Sequence, residues 1–124
     1  MAIAIGTDIV EIARIGESVS RQGIKFAQRI LSQAELEVYQ AKGESVSFLA
    51  KRFAAKEAIA KALGTGIGHG VSFQDMVISN NQKGAPEVSL YRGAAEILRS
   101  LGASKVLLSI SDEKDYALAY AMIL

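Results

Sequence analysis

The sequence predicts a single α+β domain over residues 1–124, with helices in the first half packed on a small antiparallel sheet. Three observations lead there. Apolar residues recur at spacings of three and four from residue 9 to residue 63. Residues 64–70 then hold four of the eleven glycines, and beyond them short strand-like segments flank turn sequences. No repeat, low-complexity tract or linker divides the chain, and the single proline, Pro86, marks no boundary.

Residues 2–6 read as a short buried strand, apolar and rich in β-branched side chains. A helix is expected over 9–19, where Ile9, Ile12, Ile15 and Val19 share a face. Gly23 breaks it, and a second short helix is expected over 26–31. Ser32-Gln33-Ala34-Glu35 is a capping box, so a third helix starts there and carries Leu36 and Tyr39. The longest helical signal, 45–63, is rich in alanine and free of Gly and Pro. Strands at 76–79 and 87–91 surround an Asn-Asn-Gln-Lys-Gly turn, and 93–101 is amphipathic and helical. A hairpin of 105–111 and 116–123, joined by Asp112-Glu113-Lys114-Asp115, ends the chain.

Composition narrows the chemistry. Half the residues are apolar and 22% charged, enough apolar surface to offset the entropy of ordering. With no Cys and one His (His69), thiolate chemistry, zinc fingers and histidine clusters are excluded. A metal would need Asp and Glu oxygens, which suits Mg²⁺, Mn²⁺ or Ca²⁺. The net charge of +1, few aromatics and no Trp argue against nucleic acid as partner. The first ten residues lack a basic n-region, and the longest apolar run, 116–124, is about half a membrane span. No membrane association is expected, and the cytoplasm is the expected location.

Several residues break the expected pattern. On the long helix, Phe48, Leu49, Phe53, Ile59 and Leu63 form a broad apolar arc, yet Arg52 and Lys56 fall inside it. The opposite side is mostly alanine, interrupted by Glu57 and Lys61, an i,i+4 pair in the favourable order. The plain reading is a surface ion pair with snorkelling basic stems. The alternative is functional, because the helix runs into a glycine-rich loop whose backbone can approach a phosphate, with Lys61 one turn away. That loop is no Walker motif, since Gly-Lys-Ser/Thr is absent and the helix precedes it. A C-cap glycine is its simpler reading.

Asp8 follows a buried strand, where a carboxylate needs a partner. Asp8 with Glu11 fits a cap for the first helix; a metal ligand partnered by Glu57 is the alternative. Arg14, Arg21, Lys25 and Arg29 outnumber Glu17 locally, a solvated face or a patch that steers an acidic partner. His69 reads as a polar loop residue, and Gly84-Ala85-Pro86 as a turn.

Gly6-Thr7-Asp8-Ile9-Val10-Glu11-Ile12 and the block from Phe48 to Ala58, with its Lys51-Arg52-Phe53-Ala54-Ala55-Lys56-Glu57-Ala58 core, resemble the holo-[acyl-carrier-protein] synthase family. Lys61 to Gly68, Ser72-Phe73-Gln74-Asp75, Ser109-Ile110-Ser111-Asp112 and Asp115-Tyr116-Ala117 follow in the family's order. The resemblance covers essentially the whole chain, and the basic-aromatic block is its most specific part. It implies a 4′-phosphopantetheinyl transferase-like fold of the short, homotrimeric type with active sites between subunits. It further implies transfer of phosphopantetheine from coenzyme A to a serine of apo-acyl carrier protein, with adenosine 3′,5′-bisphosphate released, in support of fatty acid biosynthesis.

By motif, Asp8 and Glu57 would hold Mg²⁺, with Mn²⁺ as the alternative, and Lys61 would pair with the transferred phosphate. Asp8, Glu57 and Lys61 form the implied catalytic set. Coenzyme A, the co-substrate, would meet Lys61, Gly64, Thr65, Gly66, Lys83, Gly84, Pro86 and Ser111. Arg14, Arg21, Gln22, Lys25 and Phe26 would grip the acidic carrier protein. Such phosphoryl chemistry needs positioning and charge neutralisation more than an unusual nucleophile. The base that deprotonates the serine is Glu57 or a metal-bound water, and the residues do not choose between them. Two positions depart from the family pattern: Asp112 stands where many relatives have His, and Lys83 lies on the other side of Gly84 from the usual Gly-Lys-Pro lysine. Asp112 is therefore not expected to touch phosphate. The competing readings are a non-catalytic module binding coenzyme A or acidic proteins, and a purely structural domain; Asp8, Glu57 and Lys61 together favour the enzyme.

Overall fold

A computed structural model describes residues 3–124. In chain order the elements are β1 (Ala4–Glu11), α1 (Ile12–Gln22), α2 (Ile24–Ile30), α3 (Gln33–Ala41) and α4 (Val46–Ala62). A 3₁₀ turn (Phe73–Asp75), β2 (Met76–Asn80), β3 (Pro86–Leu90), α5 (Arg92–Ser100), β4 (Val106–Asp112) and β5 (Tyr116–Ile123) follow. The α+β expectation holds, with the refinement that the strands form two units. An antiparallel sheet runs β1-β5-β4, and β2 with β3 makes a separate hairpin.

The first helix is where sequence and structure part. Helix was expected from residue 9 with Asp8 as its cap; instead β1 continues to Glu11. Asp8, Ile9, Val10 and Glu11 pair with Ala119, Leu118, Ala117 and Tyr116 of β5, a partner more than 100 residues away. That ladder outweighs the local capping pattern. Helix α1 starts only at Ile12, and its N-cap Glu11 makes no side-chain capping bond. Ala2, counted in the expected strand, lies outside the described residues. The capping box at Ser32 forms as read, with Ser32 Oγ accepting from the Glu35 amide and Glu35 Oε1 from the Ser32 amide.

Helix α4 is the axis of the fold. Its alanines, opposite the larger apolar side chains, pack on the inner face of the sheet, where Ala54, Ala58 and Ala62 meet Ala119, Ala121 and Ile123 in one core. Contact is so close that a Cβ on Gly6 would stand 2.2 Å from the Ala58 carbonyl oxygen. Only glycine tolerates that approach. The other side of α4 meets α1, α2 and α3 through Phe48, Leu49 and Ala50, with Phe26, Ile30 and Tyr39 opposite.

Arg52 and Lys56 do not snorkel. Lys56 is wholly buried, and its Nζ donates to Glu35 Oε1 at 2.6 Å, to the Ile30 carbonyl at 2.7 Å and to the Phe73 carbonyl at 3.1 Å. Glu35 Oε2 accepts from the Ile78 amide at 2.8 Å and lies 3.7 Å from Arg52 Nε. Arg52 also donates to Asn80 Oδ1 and stacks its guanidinium over Phe48, 4.7 Å from the ring centroid. Burial pulls the Lys56 pKa down, while Glu35 pushes it back up. One carboxylate thus joins α3, α4 and β2 and is the shared anionic partner of two buried cations.

Removing that carboxylate should be costlier than removing either cation. Glu35→Leu strands two buried charges and is expected to destabilise the fold by about 3–5 kcal/mol. Lys56→Met leaves Glu35 with Arg52 and the Ile78 amide, and should cost less. Urea denaturation of both variants measures the difference; equal losses would mean that Arg52 draws nothing from Glu35.

Candidate active site

The close approach of β1 to α4 builds the site. Asp8 lies two residues beyond Gly6 on the same inward face, and so meets the C-terminal half of α4. Lys61 Nζ donates to Asp8 Oδ1 at 2.9 Å and to the Thr7 carbonyl at 3.0 Å. The expected Glu57–Lys61 surface pair therefore gives way to an Asp8–Lys61 pair, in which the Asp8 side chain is only 15% exposed and the Lys61 side chain 51%. Glu57 and Asp8 share the wall of a cleft of about 530 Å³ that also includes Arg14, Arg21, Phe26 and Phe53.

Burial raises the Glu57 pKa above the usual glutamate value; the Asp8 carboxylate adds to the shift and Lys61 opposes it. Two carboxylates facing one cleft beside one ammonium form a site short of positive charge. That donor set fits a hard divalent cation. Among the described residues no group of three or more His, Cys, Asp or Glu converges. Asp8 and Glu57 would thus be two oxygen ligands of a shell completed by water and phosphate oxygens, the arrangement Mg²⁺ favours.

Of the residues implied for the carrier protein, Arg14, Arg21 and Phe26 line the same cleft. Lys25 is exposed beside them, and Gln22 accepts a hydrogen bond from Arg29. The residues implied for coenzyme A are dispersed. Gly64, Thr65 and Gly66 follow α4 directly, but their amides already donate to the Lys61 and Ala60 carbonyls and close the helix end. Lys83 and Gly84 lie in the β2–β3 turn, where Asn81 Oδ1 accepts from the Lys83 and Ala85 amides. Pro86 borders a different groove, between β3, α5 and β4. Ser111 pairs with Leu118 on the outer face of the sheet, opposite the inward face of Asp8. Asp112 is engaged by Lys51 at 3.9 Å and by the Ser47 hydroxyl at 3.5 Å.

Two contributors escaped the sequence reading. Phe53 was assigned to the apolar arc, yet it is half-buried and lines the cleft one turn before Glu57. Gln74 stood in a quoted motif without a role, and its side chain makes three hydrogen bonds to the end of α2. The arginine-rich spacing could have flagged the cleft wall; nothing local signals Gln74.

Comparison with known proteins agrees with this fold. The family model of the 4′-phosphopantetheinyl transferase superfamily matches residues 4–121. A holo-[acyl-carrier-protein] synthase of Shewanella baltica (strain OS185) is 54% identical over 121 residues, covering 98% of this chain and 95% of its own length. The crystal structure of the Neisseria meningitidis holo-[acyl-carrier-protein] synthase superposes with a TM-score of 0.93 at 44% identity, over 100% of this chain and 99% of that one. The Helicobacter pylori synthase, solved in complex with coenzyme A, gives 0.85 at 38% identity over 97% and 99%. The chain belongs to the 4′-phosphopantetheinyl transferase superfamily. Within it the fold and the relatives define an enzyme of the holo-[acyl-carrier-protein] synthase kind.

The Glu57 shift has a consequence for stability. A carboxyl whose folded pKa is raised binds its proton more tightly folded than unfolded, so stability is greatest at acid pH and falls as pH rises through the raised value. Glu57→Gln, permanently neutral, should therefore melt higher than the parent at neutral pH in metal-free buffer. The advantage should vanish below the ordinary glutamate pKa. Thermal melts across that range check it, and a Gln variant that melts lower at neutral pH would contradict the raised pKa.

Proposed function

We propose that this chain transfers 4′-phosphopantetheine from coenzyme A to a serine hydroxyl of an apo-acyl carrier protein, releasing adenosine 3′,5′-bisphosphate, in the cytoplasm and in support of fatty acid biosynthesis. The observation that carries the reading is the convergence of Asp8, Glu57 and Lys61 beside the cleft that Arg14, Arg21 and Phe26 flank. The coenzyme A complex of the Helicobacter pylori relative supports coenzyme A as the donor.

In this mechanism Asp8 and Glu57 would hold Mg²⁺, or Mn²⁺ in its place. The ion, when bound, supplies positive charge against the pyrophosphate oxygens. Lys61, half exposed beside Asp8, turns from it to the phosphate that is transferred. The serine oxygen forms a bond to the phosphorus nearer the pantetheine, and the bond from that phosphorus to the bridging oxygen breaks. The serine proton must leave in the same event. Glu57 on the cleft wall or a water on the ion would take it. Arg14 and Arg21 attract an acidic carrier and steer its serine toward the cleft. Any contact of Gly64, Thr65 and Gly66 with coenzyme A would come from close approach of Cβ-free backbone, since their amides are engaged. Lys83, Gly84 and Pro86 would meet the nucleotide end.

A homotrimer accounts for the dispersal of these residues. The outer face of the sheet is apolar and open: Ile5 is 58% exposed and Ile9 60%, with Leu107, Tyr116, Leu118 and Tyr120 also exposed. Covering this face with a second copy would bury the patch and bring a neighbour's Ser111 toward another chain's cleft. Sedimentation of the parent should give three chain masses, and Leu118→Glu should dissociate it and abolish transfer. A parent that sediments as a monomer and still transfers would refute the shared site.

The transfer itself is read by intact mass of an apo-acyl carrier protein incubated with this chain, coenzyme A and Mg²⁺. The carrier is expected to gain one phosphopantetheine, and chelator should prevent the gain. Glu57→Gln should reduce turnover by roughly 10²-fold or more while the fold persists; near-normal turnover would break its assignment. Arg14→Glu should raise KM for the carrier and leave KM for coenzyme A unchanged. Failure to modify any acyl or peptidyl carrier would favour the binding-module reading.

A further inference from the structure

Helix α2 has only seven residues, too few to hold its shape without help from its surroundings. It carries Lys25 and Phe26, and Phe26 forms part of the wall of the cleft that Glu57 also lines. The last carbonyls of a helix need donors from elsewhere. Here two side chains from distant parts of the chain provide them. Gln74 Nε2 donates to the carbonyls of Gln28 at 2.6 Å and Leu31 at 2.7 Å, and more weakly to that of Arg29 at 3.3 Å. Lys56 Nζ takes the remaining one, Ile30, at 2.7 Å.

Gln74 is itself held. Its carbonyl accepts from Arg92 Nη2 at 3.0 Å, and the next residue, Asp75, accepts from Arg92 Nε at 2.9 Å and from the Ser72 amide at 3.2 Å. Phe73, on its other side, gives its carbonyl to Lys56 and packs its ring against Phe53, with centroids 5.7 Å apart. The 3₁₀ turn is thus braced to α4 on one side and to the end of α2 on the other.

We infer that Gln74 is a positioning residue for carrier-protein recognition: it fixes the C-terminal end of α2 and so the placement of Lys25 and Phe26 relative to Glu57. This rests on the docking role proposed above for Arg14, Arg21, Lys25 and Phe26. Losing the cap would not detach α2, because Phe26, Ala27 and Ile30 stay buried. It would let the short helix tilt about its buried face, and Lys25 and Phe26 with it. Asp8, Glu57 and Lys61 stand on β1 and α4, and none of the hydrogen bonds of Gln74 reaches those two elements, so coenzyme A binding and the chemical step are untouched.

The test is steady-state transfer with Gln74→Ala, Gln74→Lys and, in parallel, Arg14→Glu, together with hydrogen exchange of α2. Gln74→Ala is expected to raise KM for the carrier about 5- to 20-fold, the order of one or two lost hydrogen bonds. KM for coenzyme A and kcat should stay within about twofold, and exchange should quicken at the end of α2. Gln74→Lys, whose ammonium can donate to the same carbonyls, should restore the carrier KM. An unchanged carrier KM in Gln74→Ala, with Arg14→Glu still raising it, overturns the role of Gln74 and leaves the docking surface standing. A carrier KM insensitive to Arg14→Glu overturns the docking surface itself. Parallel changes in kcat and both KM values in Gln74→Ala, unrelieved by Gln74→Lys, would reduce Gln74 to a residue of general stability and overturn the proposal.

Discussion

The close packing of β1 on α4 is the constraint from which the site follows. With Gly6 against the Ala58 carbonyl, the backbone of the strand lies nearly on the backbone of the helix. Asp8 is then the next inward residue of β1, and it can point only at the next turn of α4, where Lys61 answers it. Small residues are needed on every surface involved, which is why Ala54, Ala58 and Ala62 of the helix oppose Ala119 and Ala121 of β5. A larger side chain at any of these would lift the strand and separate Asp8 from Glu57 and Lys61. Core volume is given up here for a fixed distance between charges.

Helix α4 carries two charge clusters of opposite character, and they divide its labour. Arg52 and Lys56 are locked by Glu35 in a dry interior where every exchange of partner is expensive. Glu57 and Lys61 face the cleft, where water and a substrate can replace one partner with another. Lys56 and Glu57 are neighbours in sequence but lie about 100° apart around the helix. The dry cluster therefore sets the rotation of the helix, and with it the direction of Glu57. The raised proton affinity of Glu57 fits a residue positioned against its own electrostatic preference by the packing beneath it.

What the sequence reveals depends on whether the deciding interaction is local. The Ser32–Glu35 capping box is a four-residue signal and forms as read, yet the same Glu35 also pairs with Lys56 and lies beside Arg52, which no spacing announces. The long helix is legible because alanine content and periodicity agree over seventeen residues. Asp8–Glu11 is misread as a cap because its real partner, β5, lies at the far end of the chain. Arg52 and Lys56 admit a snorkelling reading because a helix viewed alone has an outside, although apolar residues and alanines around nearly its whole circumference already point to burial on several sides. The glycine loop admits two readings, and helix closure, the simpler one, is what forms. Its composition suggests amides free for phosphate, whereas helix closure engages those of Gly64, Thr65 and Gly66.

The two-residue period of a strand bears on how a complete site is assembled. Asp8, Ala119 and Ile110 lie across the sheet on the inward face, whereas Ile9, Leu118 and Ser111 lie on the outward face. No rotamer carries Ser111 through the sheet, and a register slip that turned it inward would also turn Ile110 and Leu108 out of the core. Within one chain, Ser111 cannot join Asp8 and Glu57 around a ligand. If Ser111 does meet coenzyme A, it meets a molecule held by a different copy. The outward face on which it stands is the part of the sheet with the most uncovered apolar side chains, including Ile5 and Ile9. In the proposed trimer, the burial that would stabilise association and the delivery of Ser111 to a neighbouring site would both follow from the same strand alternation.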